Sequence, residues 1–199
     1  MPRLAVAERR AMLIAAAARV MARDGIAQTT TRAITAEADM PRGSFHYCFR
    51  SKDELLRELI TSVVTDMVAS ARDAQTDTGD LAADLRAGLR GLFAAVTAHP
   101  DEQLVLYELT TYALRDPETV ELARWQYENY LQQATDYLGF VVDRAKVRWT
   151  LPIPVLARLL VSVIDGLALN WLPDRNTDIA CQVLDAFAAH LASLAVPAA

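Results

Sequence analysis

The chain has 199 residues, 53% of them apolar, with 20 basic against 25 acidic side chains and a net charge of −5. That apolar fraction, with only 7 glycines and 2 cysteines, excludes a disordered tail, a collagen-like fibre and a disulfide-dense mini-protein. A chain of this length fits one or two domains and buries a sizeable core without metals or disulfides.

Helical periodicity runs almost throughout, and no segment alternates convincingly as a strand. The first helix is expected over residues 6–23, with Leu13, Ile14, Ala17, Val20 and Met21 on one stripe and Gly25 as its left-handed stop. Arg9 and Arg10 precede the apolar run 11–18 as the basic flank of a signal peptide would. Arg19 and Arg23 follow at once on a helical period, which speaks against that reading. A short second helix should start at the Thr29-Thr30-Thr31 cluster, where a hydroxyl caps a free first-turn amide, and end at Ala38. Asp39 and Met40 then form a tight connection, Asp being one of the few non-glycine residues that tolerate positive φ. Pro41, with φ preset and no N–H to leave unpaired, opens a third helix through about Tyr47.

A longer helix follows from Ser51. Ser51-Lys52-Asp53-Glu54 has the form of a capping box, and Leu55, Leu56, Leu59, Ile60, Val63, Val64, Met67 and Val68 recur at spacings of three and four. Residues 74–80 read as a loop, and further helices are expected before Pro100, over 101–115 and over 117–142. Pro152 and Pro154 open the next, and Pro173 with Asp174 closes it. The last, over 177–194, carries Ile179, Val183, Leu184, Phe187, Leu191 and Leu194 on its face. The expected fold is therefore all-α, about nine helices: a three-helix N-terminal head over residues 1–52 and a larger helical body over 53–199.

Charge divides the same way. Nine basic residues against four acidic ones between Met1 and Lys52 give the head +5, leaving −10 for the rest. A basic head on an acidic body suits a polyanionic partner, the alternative being chance clustering on a solvated face. Two short helices joined by a tight turn, supported by a preceding helix, make a helix-turn-helix reader. Ile34, Ala38, Met40 and Phe45 would form the small core that fixes its angle. Arg42, Gly43, Ser44, His46 and Tyr47 then lie on the outer face or N-terminal end of the second short helix, the part that enters a major groove. Gly43 lets the backbone approach, and Arg42 reaches a guanine edge or a phosphate. Thr30, Tyr47 and Lys52 are better placed for phosphate oxygens, which set register without reading sequence.

The run Thr30-Thr31-Arg32-Ala33-Ile34-Thr35-Ala36-Glu37-Ala38, then Pro41-Arg42-Gly43-Ser44-Phe45-His46-Tyr47-Cys48-Phe49 and Ser51-Lys52-Asp53-Glu54-Leu55-Leu56, resembles the DNA-binding head of the TetR family of transcriptional regulators. The match covers about residues 9–60, with the helix-turn-helix at about 30–49, and Asp165-Gly166-Leu167 is similar to a run in that family's eighth helix. Asp39 stands where the family usually has Gly, Pro41 replaces a frequent Ser cap, and Cys48 sits at a position often occupied by His or Tyr. The resemblance implies a repressor that binds a palindromic DNA operator as a homodimer and is released by a small-molecule effector held in the body.

The helix from Pro154 to Leu172 is apolar nearly all round, so it needs cover on two faces. Arg158 and Asp165 interrupt it, which argues against a membrane span of about 18 consecutive apolar residues. With the last helix it is expected to form a four-helix interface across a two-fold axis, through Leu159, Val163, Gly166, Leu167, Val183, Phe187 and Leu191. The alternative is a central helix of a monomer. For the effector pocket that the resemblance implies, an apolar cavity with a few polar groups suits a small hydrophobic ligand. Candidates are Phe93, Tyr107, Trp125 and Tyr130, with Glu108, Thr111, Asn129, Asp165 and Asn170 as polar contacts. These rings equally suit a plain helical core.

No enzyme signature is present: His46, His99 and His190 are far apart, and neither an HExxH or GxSxG run nor a Gly-rich phosphate loop occurs. Cys48 and Cys181 lie too far apart for a metal or redox pair, so no metal or cofactor is expected, and isolated thiols suit a reducing cytoplasm. Abundant Arg and Ala with two Lys fit a GC-rich bacterial genome. The rival reading is a helical ligand- or partner-binding protein without DNA contact.

Overall fold

In the computed structural model, residues 5–115 and 117–198 are described. Among them are nine α-helices: α1 Val6–Asp24, α2 Thr31–Glu37, α3 Gly43–Cys48, α4 Lys52–Ala74, α5 Leu81–Ala98, α6 Pro100–Ala113, α7 Val120–Ala145, α8 Ile153–Asp174 and α9 Thr177–Ser193. The all-α expectation holds, with one addition. Val147–Trp149 (β1) pairs antiparallel with Ala195–Pro197 (β2), Arg148 opposite Val196. Two three-residue strands are too short to show a period of two, which is why the sequence conceals them.

The chain forms two compact units, Met1–Val63 with Asp101–Gln126, and Val64–Pro100 with Tyr127–Ala199. In the first, α1 packs on α2 and α3. Leu13, Ala17, Val20 and Met21 bury the α1 stripe against Ile34, Phe45 and their neighbours, all almost fully inaccessible. Gly25 ends α1 at φ 78°, and a Cβ there would also stand only 3.2 Å from the Glu108 carboxylate of α6. Within the same unit the buried Gln126 amide donates to the Leu106 carbonyl, and Thr110 donates to the Gln126 side chain.

The second unit is organised around α5 and α9, with α8 against both. Leu85, Leu89 and Val96 of α5 and Leu184, Phe187, Ala188 and Leu191 of α9 are buried there. Phe93 meets Trp171 edge-on, ring centroids 6.0 Å apart. The loop before α5 is organised by Asp84, whose carboxylate accepts from the Thr76 and Thr78 hydroxyls and the Thr78 amide. Helix α8 ends with Pro173 and Asp174, as expected, and is capped by Arg175, whose left-handed conformation (φ 55°) sends its N–H back to the Trp171 carbonyl. By length and composition α8 is apolar enough to cross a membrane, yet it carries Arg158 and Asp165 and lays Leu156, Leu160, Ile164 and Trp171 into the core of its unit.

Candidate nucleic-acid interface

The helix-turn-helix is built from local signals. Thr30 caps α2 with its hydroxyl, which accepts the Ala33 amide at 3.1 Å. Asp39 takes the left-handed turn position (φ 52°), and the Met40 amide closes the turn on the Thr35 carbonyl at 2.9 Å. The third helix starts later than the sequence suggests. Pro41 and Arg42 form a turn, the Ser44 amide bonding the Pro41 carbonyl, and α3 runs from Gly43 to Cys48. Arg42 is already helical in φ and ψ, but no side chain caps it.

The result is a two-faced α3. Phe45 and Cys48 are buried, Phe45 meeting His46 edge-on and Phe49 at 5.7 Å. Arg42, Gly43, His46 and Tyr47 are exposed, Tyr47 by 64%, and Ser44 is half-buried. A Cβ on Gly43 would meet no atom of the chain within 4 Å, so the chain's own packing does not require a glycine there. Thr30 is exposed beside them in sequence, its hydroxyl engaged as a cap. Lys52 is half-buried at the start of α4, its ammonium donating to the Ile26 carbonyl at 3.3 Å, and burial pushes its pKa below the ordinary 10.5. The amide of the same Ile26 is held by the Glu108 carboxylate at 3.1 Å.

Sequence reasoning missed the ionic frame behind this face. Glu37 on α2 accepts from Arg19 at 2.8 Å and from Arg23 at 2.9 Å, tying α2 to α1, and these bonds, Arg19's first, hold its carboxyl below the usual range. Arg10 on α1 donates to the Cys48 carbonyl, to Glu58 and, at 2.9 Å, to Glu54, and lies 4.2 Å from the Phe49 ring centroid. The i,i+4 spacing of Arg19 and Arg23 was a readable signal that both lie on one face. Of the nine basic residues of the head, three therefore face carboxylates of the same unit, while Arg32, Arg42 and Arg50 are exposed. The capping box at Ser51 is half made: the Glu54 amide bonds the Ser51 hydroxyl, but the Glu54 carboxylate takes the Arg50 amide.

The effector candidates divide between the units. In the first, Glu108 holds the Ile26 amide, Trp125 lies 4.7 Å beneath the Arg57 guanidinium, Tyr107 is half-buried, and the exposed Thr111 hydroxyl donates back to its own helix. In the second, Phe93 is buried and Tyr130 packs on Tyr127 at 5.3 Å. Tyr127 donates to Asp165 at 2.9 Å, and Asn170, exposed, bonds the Gly166 carbonyl of its own helix. Burial, chiefly, raises the Asp165 pKa from its ordinary value and Tyr127's to about 12. Two buried polar atoms of α7 have no hydrogen-bond partner, Asn129 Oδ1 and Tyr137 Oη, and Tyr137 was not among the candidates. A groove of about 380 Å³ between α7 and α8, lined by Glu128, Leu131, Gln132, Thr135, Pro154, Ala157 and Arg158, includes none of the candidates. Of the interface candidates, Phe187 and Leu191 are buried in the core of their own unit. Leu159, Val163, Gly166 and Leu167 are half-buried, and Val183 is exposed with Val155, Leu169 and Ile179.

A basic helix-turn-helix with one buried and one open face, on an otherwise helical chain, defines a DNA-binding regulator. Residues 13–59 match the model for bacterial regulatory proteins of the tetR family, and residues 82–196 match the C-terminal model of BetI-type transcriptional repressors. The chain belongs to the TetR family of DNA-binding transcriptional regulators. It is 28% identical over 189 residues, 93% of this chain and 96% of the relative, to the HTH-type nicotine-responsive transcriptional repressor HdnoR of Paenarthrobacter nicotinovorans. Its fold is similar to a putative TetR-family regulator from Rhodococcus sp. (TM-score 0.77, 17% identity, 93% of this chain and 98% of that one). A second such regulator, from Syntrophomonas wolfei, gives a TM-score of 0.76 at 14% identity, over 94% and 96% of the two chains. The rival reading, a helical protein without DNA contact, is not favoured.

Proposed function

We propose that the protein is a cytoplasmic, non-enzymatic repressor that binds a palindromic operator as a homodimer and leaves it when a small hydrophobic effector binds. The single observation that carries this is the two-faced α3, whose buried Phe45 leaves Arg42, Gly43, His46 and Tyr47 open toward a groove. In this reading residues 1–52 read DNA, with Thr30, Ser44 and Lys52 at its edge, and residues 53–199 dimerise and hold the effector.

Dimerisation is supported by the exposed apolar residues of α8 and α9, Val155, Leu169, Ile179 and Val183, which a lone chain leaves in water. An effector is supported by Asn129 Oδ1 and Tyr137 Oη, because buried polar atoms without partners are rare in native proteins and call for water or ligand. The whole-length similarity to a nicotine-responsive repressor supports an effector that is likewise a small organic molecule. Effector and operator are antagonistic here, as linkage requires of a ligand that favours the non-binding conformation.

The test is selection of the purified protein on a random duplex pool at near-physiological salt. Enrichment of a two-fold-symmetric motif is expected. Absence of any enriched sequence, from protein shown free of bound small molecules by native mass spectrometry, overturns the reading.

A further inference from the structure

The elbow from α3 into α4, residues 49–51, is gripped from two sides. Arg10 stands 4.2 Å over the Phe49 ring centroid, donates to the Cys48 carbonyl that ends α3, and reaches Glu54 and Glu58 on the first turns of α4. Glu54, held by Arg10 through one oxygen, receives the Arg50 amide on the other at 2.8 Å. One guanidinium thus joins α1, the end of α3 and the start of α4. Its planar fork serves stacking and several acceptors together, which an ammonium on a flexible stem cannot do. The neighbouring Arg9 differs: it stands 5.7 Å over the ring of the exposed Tyr47, on the open side of α3.

We infer that Arg10 is a positioning residue for operator reading, which sets the angle of α3 against α1 and α4 without itself touching DNA. The inference rests on the assignment of α3 as the reading helix. Contacts to base edges tolerate little tilt, whereas backbone phosphates are met by side chains all round the head. Arg10 therefore governs discrimination between sequences more than attraction to DNA.

The experiment measures affinities of the wild type, Arg10→Met, Arg10→Lys, Glu54→Gln and Arg9→Ala for the selected operator and for a scrambled duplex over a salt series, with circular dichroism fixing the folded fraction. For Arg10→Met the operator affinity should fall roughly tenfold or more, the equivalent of losing one good base contact. The scrambled duplex should stay within about twofold and the salt slope should be unchanged. Arg10→Lys should restore the loss only in part. Arg9→Ala, by contrast, should weaken both duplexes alike. If Arg10→Met fails to fold, the milder Glu54→Gln decides, with the same selective loss expected at smaller size. Folded variants that keep operator affinity within about twofold overturn the inference. So does an equal loss on both duplexes with a reduced salt slope, which would make Arg10 a phosphate contact. A wild type that enriches no sequence overturns the α3 assignment instead, and the inference falls with it.

Discussion

The two units differ in how completely they satisfy their buried polar groups. In the unit that contains the helix-turn-helix, carboxylates are matched by donors from other segments: Glu37 by Arg19 and Arg23, Glu54 and Glu58 by Arg10, Glu108 by the Ile26 amide. What is left outside is a set of exposed side chains on or beside α3, Arg42, His46 and Tyr47. The other unit has one such pair, Arg90 of α5 with Asp185 of α9 at 2.6 Å, but leaves other polar groups unmatched. Asn129 Oδ1, Tyr137 Oη and Gln75 Oε1 are buried without partners, and apolar side chains of α8 and α9 are exposed. A frame saturated with its own bonds presents a fixed surface, which suits reading a rigid duplex. A unit with orphaned atoms inside and exposed apolar side chains on its helices is where the proposed effector and partner copy would act.

The largest effect should come from the core that holds the second unit together. Phe93→Ala removes a ring 1% exposed and packed on Trp171, a truncation that costs roughly 3–5 kcal/mol. For a chain of this size the midpoint of thermal unfolding should drop by roughly 6–20 °C, read by calorimetry. A drop of only a degree or two would mean that this core is looser than its burial implies. Next in size is Leu169→Arg. Leu169 is 55% exposed in the single chain, so the change should leave folding intact. An unpaired charge in a dimer interface typically costs 2–5 kcal/mol, so about a thirtyfold or greater loss of operator affinity should accompany monomers in sedimentation. Persisting dimers with full affinity would move the interface off this face of α8.

How far each region was legible follows from where its instructions lie in the chain. The head's turn is written within a few residues: Thr30 as cap, Asp39 at positive φ and Ser51 with Glu54 all do locally what their residue types favour. Two details depart from the local pattern: the chain uses Pro41 in the turn before α3 rather than as its first residue, and the Glu54 carboxylate takes the Arg50 amide instead of closing the capping box. The body resists for a different reason. Periodicity places Phe187, Leu191 and Val183 on one α9 stripe, but not which neighbour covers each, and the first two face their own core while Val183 stays in water. The orphaned Tyr137 hydroxyl is invisible for the same cause. Nothing in an Asp-Tyr-Leu-Gly-Phe run says that the phenol will press against Gly88 of another helix, where an added Cβ would stand within 2.3 Å of it. Arg10 was legible as a charge and illegible as a strut, since its partners lie 38 to 48 residues away.

Smaller, and confined to the head, is Arg42→Ala. The residue is exposed and its side chain caps nothing, so stability should not change. If it meets a guanine edge, operator affinity should fall by about 1–3 kcal/mol and selectivity at one base pair of each half-site should relax. If it meets a phosphate, all duplexes should weaken alike and the salt slope should fall by about one. No change in either would remove Arg42 from the interface and weaken the contrast between a saturated frame and an open reading face.

The smallest expected effect probes how the second unit tolerates a carboxylate. Burial of Asp165 on α8 raises its pKa from the ordinary 3.8, partly offset by the hydrogen bond from Tyr127, whose own pKa burial and the nearby Asp165 charge lift to about 12. A carboxylate whose folded value is raised holds its proton more tightly in the folded state. Its stabilising contribution is therefore complete below the unfolded value of 3.8 and is lost as pH rises through the folded value. The charged form is the one that its burial disfavours. Asp165→Asn keeps an oxygen to accept from Tyr127 and removes the charge, so its thermal midpoint should equal or slightly exceed the wild type's at neutral pH. That advantage should vanish on acidification below the carboxylate range, where Asp165 is itself neutral. Midpoints followed by calorimetry across that range check the sign. A variant less stable than the wild type at neutral pH would show that the Asp165 charge is used, and would move it from the unit's tolerated defects to its matched pairs.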